Sequence, residues 1–382
     1  MGTVAELEKV RKKRSRALFF RRLAVLCIIG LIVLGAFYIT QGGAVKVVFG
    51  QVADGMMAFL AGDSMPVTLS SNRPQWMSDV SGRIALADND SLTIYTRSGR
   101  QIESHALGYQ NPAFRASGPR VLAYDVGGSR FDLFFWDDRR VSMDTGETIY
   151  CADLAPSGLM VIGGSESTAL SGVRVYAEDK QETFRWKSSE LMVSAVALSQ
   201  SGGRVAFSGI STVGGEVYSS VSIYRIDRKE PVAQVRLPGE VVLALGYGAN
   251  GVLALSNQRV TLIGENGQVK TSYTFTSSPV AFALSDQGQV GLVLGDYDDS
   301  HTLTVTLLGS DLRVQGSWDV AGQVNHLGYG SDGFYVVSGE QYTLYSSHKE
   351  PVTVRVPEGI LALPGRTIYY ATPTQLKKVS MP

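Results

Sequence analysis

Histidine is the residue type best suited to acid–base or metal chemistry near neutral pH, and the chain contains four: His105, His301, His326 and His348. They are far apart in the sequence and form neither a His-x-His nor an i, i+4 pair. Nucleophile-elbow, phosphate-loop and zinc-protease motifs are also missing from the sequence. We therefore predict no catalytic residue and no cofactor, and we interpret each histidine as a surface or turn residue.

The cysteines and the acidic loops are the remaining candidates for metal ligands. Cys27 lies in an apolar run and Cys151 in a predicted strand, so the sequence predicts neither a disulfide nor a zinc site. The segment 295–300 places oxygen atoms at Asp296, Asp298 and Ser300, as the start of a calcium loop does. It lacks the turn glycine and the distal carboxylate of such a loop, so a solvated hairpin loop is favoured and no metal site is predicted.

The best candidate for a binding loop is Gly108-Tyr-Gln-Asn-Pro112. Tyr109 offers an aromatic ring and Asn111 an amide, and Arg115 follows at the start of the next apolar segment. These three residues are the predicted partner-binding site. The alternative is structural, since Asn-Pro initiates turns and Tyr109 can instead cap the core.

The strands that position this loop are predicted from a sequence pattern that repeats along the chain. Each repeat contains an apolar strand, a turn with a glycine, and a second apolar strand. The turn glycines are separated by 32 to 48 residues: Gly82, Gly118, Gly158, Gly203, Gly251, Gly288, Gly333 and Gly365. This interval is close to the ~40–50 residues of a propeller blade. The sequence therefore predicts an all-β fold, a β-propeller of about eight four-stranded blades, with seven blades as the alternative.

The remaining strands of each blade are also visible in the sequence. Third strands with period-two alternation follow each of the first seven turns, for example Leu92–Tyr95 and Tyr342–Tyr345. Outer strands are predicted after Gly99, Gly146 and Gly267, and after Ser310-Asp311. The isolated strand Met65–Leu69 is predicted to pair with the last, truncated unit and to close the ring.

A motif that is repeated in two of the predicted blades is interpreted as a packing feature. Leu245-Gly-Tyr-Gly248 and Leu327-Gly-Tyr-Gly330 have the same four residues at the end of an apolar strand. Repetition in two units indicates a contact that the fold needs rather than a ligand.

The N-terminal region predicts a single membrane span. Residues 1–22 carry eight basic and two acidic side chains, and residues 23–39 carry no charge. By the positive-inside rule residues 1–22 are cytoplasmic, residues 23–40 form the transmembrane helix, 41–63 a juxtamembrane linker, and 64–382 an extracytoplasmic propeller. The alternative is a cleaved signal peptide, which the length of the apolar run disfavours.

The charge of the remaining chain bears on its partners. Residues 23–382 keep 27 basic and 33 acidic side chains, so this part of the protein is mildly acidic. Nucleic-acid binding needs a basic surface, and none is predicted.

A family resemblance rests on Gly108-Tyr-Gln-Asn-Pro112, on Ala116-Ser-Gly118 and on Val121-Leu-Ala-Tyr-Asp-Val-Gly-Gly128. With these phrases the chain resembles a group of membrane-anchored propeller proteins, a domain of unknown function found mainly in low-GC Gram-positive bacteria. The resemblance covers nearly the whole chain and implies a single span and an extracytoplasmic propeller with WD40-like or quinoprotein-like repeats. It implies no catalytic residues.

Three functions remain open from the sequence. The favoured one is a non-enzymatic, membrane-tethered interaction or scaffold module that binds an envelope protein or a wall glycan. The second is a hydrolase or oxidoreductase whose site is assembled from several blades, since fold does not determine function. The third is a ligand-sensing subunit of a membrane complex.

Overall fold

The computed structural model of the chain describes residues 47–48, 50–56, 64–69, 73–137, 139–295, 303–320, 322–347 and 349–382. The chain divides into two compact units, Met1–Gly62 and Asp63–Pro382. In the first unit, residues 47–48 and 50–56 are helical, and Val48, Val52 and Met56 are exposed at spacings of four residues. The predicted span at 23–40 lies outside the described residues. No helix among the residues described is long and apolar enough to cross a membrane.

The second unit is an eight-bladed β-propeller, and each blade is a four-stranded antiparallel sheet. The strands of the first four blades, after the short strand β1 (Val67–Thr68), are as follows. Blade 1 contains β2 (Trp76–Val80), β3 (Arg83–Ala87), β4 (Ser91–Tyr95) and β5 (Gln101–Ala106). Blade 2 contains β6 (Pro112–Ser117), β7 (Arg120–Asp125), β8 (Arg130–Phe135) and β9 (Arg140–Asp144). Blade 3 contains β10 (Ile149–Leu154), β11 (Met160–Glu166), β12 (Ala169–Tyr176) and β13 (Glu182–Ser188). Blade 4 contains β14 (Met192–Leu198), β15 (Arg204–Val213), β16 (Glu216–Arg225) and β17 (Pro231–Pro238).

The other four blades complete the ring. Blade 5 contains β18 (Val242–Gly248), β19 (Gly251–Ser256), β20 (Arg259–Ile263) and β21 (Val269–Thr274). Blade 6 contains β22 (Ser278–Leu284), β23 (Val290–Gly295), β24 (Leu303–Leu308) and β25 (Val314–Val320). Blade 7 contains β26 (Val324–Gly330), β27 (Gly333–Ser338), β28 (Gln341–Tyr345) and β29 (Val352–Arg355). Blade 8 contains β30 (Leu361–Leu363), β31 (Thr367–Ala371) and β32 (Gln375–Ser380), with β1 as its outer strand.

The ring closes where the sequence predicted. In β1, Val67 pairs with Leu376 and Thr68 with Gln375, so the first strand of the propeller completes the last blade. The eight-bladed prediction and all seven third strands are confirmed, and the seven-bladed alternative is wrong. Pairing of β1 with β32 joins the two ends of the propeller without exposing a long unpaired strand.

One detail of the predicted blades is wrong. The outer strand of blade 2 is Arg140–Asp144, which precedes Gly146, because the sequence has no glycine between the end of the third strand at Phe135 and Arg140.

The core lies between the blades. Successive side chains of a strand point to opposite faces of its sheet, so an apolar blade presents one set of side chains to each neighbouring blade. Eight buried clusters result, one at each interface between adjacent blades, from blades 1 and 2 around to blades 8 and 1.

Two faces of the disc follow from this topology. The upper face is the one at which each inner strand begins; it also carries the turns between second and third strands. The lower face is the one at which each inner strand ends, and it carries the turns between third and outer strands. The inner strands surround a central channel, which is lined by residues of blades 1 to 7.

Candidate functional site

The predicted binding loop joins β5 to β6 on the upper face, and its tyrosine is turned inward. Tyr109 is 8% exposed and packs in the cluster between blades 1 and 2. Its hydroxyl donates a hydrogen bond to the buried carboxylate of Asp132, which also accepts bonds of 3.0 and 2.8 Å from Arg140. Burial, with the Asp132 hydrogen bond adding to it, raises the pKa of the Tyr109 hydroxyl far above its usual range. Tyr109 therefore braces two blades, and its ring faces the core.

Asn111 has the opposite placement. Its side chain is exposed, while its backbone N–H donates to Asp125 Oδ1 at 2.8 Å and its carbonyl accepts a bond from the Val126 N–H at 2.9 Å. The N–H of Gln110 also donates to Asp125 Oδ1, at 3.1 Å. Because the backbone is held from both sides, the loop presents the Asn111 amide on the upper face from a fixed position. The prediction of a partner contact in this loop therefore depends on Asn111.

Arg115 lies elsewhere. It is the fourth residue of β6, about 13 Å from Asn111 at ~3.3 Å per residue, and its side chain lines the central channel. It borders a cavity of about 370 Å³ together with Asp153 and Tyr247. Burial raises the pKa of the nearby Cys151 thiol to about 12, and the positive charge of Arg115 opposes this shift. The structure thus separates the three predicted residues into the core, the upper face and the channel.

A recurrent β-bulge, which was not predicted from the sequence, marks the upper end of the channel. In blades 3 to 7 the pairing of the inner strand shifts by one residue near its start. A bulge of this kind inserts one extra residue, whose side chain then points in a different direction from the one that regular strand alternation would give it. The inserted residues occupy equivalent positions in five successive blades: Tyr150, Ser194, Leu243, Val280 and Asn325. In the sequence, two consecutive apolar residues such as Val242-Leu243 break the alternation of the strand and could have indicated the bulge.

Exposed apolar side chains gather on the same face. Six large ones belong to blades 3 to 6 at the upper face and are 37–57% exposed: Leu170, Met192, Val213, Val217, Leu243 and Val280. We call this set the apolar rim. The hairpin formed by β15 and β16 of blade 4 projects above this face. Met192, the first residue of the inner strand, pairs with Ile210, and β15 continues about three residues beyond that pair. The other large exposed apolar residues among the propeller residues described lie at the lower ends of outer strands, one in each of blades 4 to 7: Val232, Val269, Val314 and Val352.

Comparison with known proteins identifies a family from the blade sequences. A family model described as a family of unknown function, DUF5711, matches residues 67–353. The chain belongs to this family. The match lies within the propeller and confirms the predicted resemblance to a domain of unknown function. No curated protein matches the chain.

Among solved structures, the chain is similar to the β-propeller domain of Cps50 (Swd1) from Myceliophteria thermophila. The two are 11% identical with a TM-score of 0.52, and the similarity covers 71% of this chain and 95% of that one. At this identity the likeness supports the propeller fold alone.

The remaining chemistry-bearing residues are dispersed. His105 Nε2 lies 3.0 Å from Glu103 in blade 1, whereas His326 in blade 7 accepts a bond from the Ala362 N–H at 3.3 Å. Burial lowers the pKa of His326 to about 4, so the ring is neutral near pH 7. His301, His348 and the 296–300 loop lie outside the described residues. Within the described ranges, no three His, Cys, Asp or Glu side chains are grouped so that they could hold a metal ion.

Proposed function

We propose that this DUF5711 protein is a membrane-tethered, extracytoplasmic interaction module whose upper face binds an envelope protein. The observation that supports this function is the apolar rim: six large exposed apolar residues gathered on one face of four successive blades. Single exposed apolar residues are normal on soluble proteins, whereas a group on one face is typical of a protein-binding surface.

The side chains of the rim favour a protein over a sugar on this face. Five of the six side chains are aliphatic and form no hydrogen bonds with hydroxyl groups, and Met192 offers only a weak thioether acceptor. Covering one half-exposed side chain of this kind contributes about 1 kcal/mol, and six contribute on the order of 5 kcal/mol. Association itself costs about 4–15 kcal/mol, so polar contacts around the rim must contribute as well. Asn111 on the same face is the first candidate for such a contact.

A pair of matched double variants tests the binding surface. Leu243→Glu with Val280→Glu places two charges in the rim, whereas Val269→Glu with Val314→Glu places two charges at the lower ends of outer strands. Chemical cross-linking in native membranes, followed by mass spectrometry, should recover a partner with wild type and with the outer-strand variant. If both double variants lose the partner, or if neither does, the upper face is not the protein-binding surface.

The proposed tether is supported by the uncharged segment 23–39 and by the basic residues that precede it. Its orientation can be tested with single cysteines at Ser15 and Gln181, in a background with Cys27→Ser and Cys151→Ser. A membrane-impermeant maleimide should label Gln181→Cys on intact cells, and Ser15→Cys only after lysis. The reverse pattern, or release of the protein from the membrane fraction, would contradict the tether.

A further inference from the structure

The lower end of the central channel opens into a cavity of about 740 Å³, on the face opposite the apolar rim. Its wall comes mainly from blades 6 and 7, around the turns that follow β22 and β26. It is continuous with the cavity of about 370 Å³ beside Arg115, because both are lined by Ala116 and by residues 283–286. Pockets that hold small ligands measure about 300–1,000 Å³, so the larger cavity alone is of sufficient size.

The wall of this lower cavity contains hydrogen-bond donors and acceptors, and the side chains of Asp286, Gln287 and Asp332 are exposed to solvent. Asp286, Gln287 and Gln289 come from the turn of blade 6, and Asp332 comes from the turn of blade 7. The side chains of these four residues form no hydrogen bond or ion pair with any residue that the structure describes. An aromatic side chain, Tyr329, also lines the cavity.

Charge and chemistry narrow the class of ligand. The two continuous cavities are lined by three carboxylates, Asp153, Asp286 and Asp332, and by one cation, Arg115, which disfavours an anionic ligand. An apolar ligand would leave the carboxylates and amides without partners. A cation could use the carboxylates but not the N–H donors of Gln287 and Gln289. A ligand rich in hydroxyl groups both donates and accepts, and it can therefore satisfy both kinds of group.

We propose that the lower cavity binds a neutral oligosaccharide, held by the turns of blades 6 and 7. This site is separate from the protein-binding surface proposed for the upper face. The two proposals can therefore fail independently.

The test is calorimetric titration of the full-length protein in lipid nanodiscs with two neutral probes, chitotetraose and cellotetraose. At least one should bind saturably, and Gln289→Ala with Asp332→Ala should weaken that binding by about tenfold or more. Asp319→Ala is the matched control, because Asp319 is an exposed carboxylate on the outer strand of blade 6, and it should leave binding unchanged.

Further titrations separate the alternatives. The apolar-rim variant Leu243→Glu with Val280→Glu should bind the sugar as wild type does. No saturation by either sugar up to about 10 mM would overturn the proposal. Tighter binding of spermine than of both sugars, lost in the Gln289→Ala and Asp332→Ala variant, would also overturn it and identify a cation site. Unchanged melting temperatures would show that the variants remain folded.

Discussion

Replacing Gly248 with alanine tests why the Leu-Gly-Tyr-Gly motif is repeated. Gly248 ends the inner strand of blade 5, and a Cβ there would lie 2.5 Å from the Cα of Gly288, in the turn of blade 6. In the second copy, a Cβ on Gly330 would lie 2.2 Å from Cγ of Pro364, in blade 8. In both copies the final glycine thus allows one blade to approach the next.

The expected loss of stability follows from this distance. Carbon atoms pack at about 3.5–4.0 Å, so Gly248→Ala requires a separation of about 1 Å or more between two backbones. Overpacking of this kind costs about 1–3 kcal/mol, and a backbone obstacle suggests the upper half of that range. The lower entropy of the unfolded alanine variant offsets about 0.4–1 kcal/mol. The net expectation is a loss of about 2 kcal/mol.

Gly203→Ala is the matched control, because Gly203 also belongs to a turn of the lower face but has room for a side chain. Its added Cβ would meet no atom closer than Ser201 Oγ at 3.6 Å, and its backbone is not left-handed. Urea unfolding monitored by tryptophan fluorescence should show a lower midpoint for Gly248→Ala and an unchanged or slightly higher one for Gly203→Ala. Equal midpoints for the two variants would refute the packing explanation of the motif.

Three further predictions concern the buried polar groups. Tyr109→Phe removes a donor to the buried Asp132 carboxylate and should cost about 1–3 kcal/mol in urea unfolding, whereas Asn111→Ala should leave stability unchanged; equal effects would contradict their different burial. Because burial lowers the pKa of His326 to about 4 from ~6.5, its contribution to stability is complete above pH 6.5 and is lost as the pH falls toward 4. The melting temperature of His326→Asn should therefore vary less than that of wild type across this range, and an identical pH profile would refute the assignment. Since burial raises the pKa of Cys151 to about 12, a Cys27→Ser protein should react with Ellman's reagent at pH 8 only after denaturation, and rapid reaction of the folded protein would show that the thiol is accessible.

Much of the fold could be predicted from the sequence because each blade repeats the same local pattern. Alternating strands such as Leu92–Tyr95 and turn glycines such as Gly288 report directly on backbone conformation. The sequence misplaces the outer strand of blade 2 for a related reason, since no glycine lies between Phe135 and Arg140. Ring closure was predictable because the unpaired first strand can form hydrogen bonds with the last blade, which lacks its outer strand.

The candidate sites were less predictable because they depend on contacts between distant residues. The partner that turns Tyr109 inward is Asp132, 23 residues later, and no local signal connects the two. The lower cavity joins turns from blades 6 and 7, and its shape depends on how those blades pack. The apolar rim has a weak local signal, since Leu243 and Val280 interrupt the alternation of their strands, but only the bulges show where they lie.

The most direct test of the proposed function is site-specific photo-cross-linking in native membranes. A benzophenone amino acid at Leu243, in the apolar rim, is compared with the same amino acid at Val314, which is similarly exposed on an outer strand. We predict one dominant envelope protein cross-linked from position 243 and none from position 314, with loss of that product when Val280 is changed to Glu. The same products from both positions, or no product from position 243 when the probe is shown to react, would contradict a protein-binding upper face.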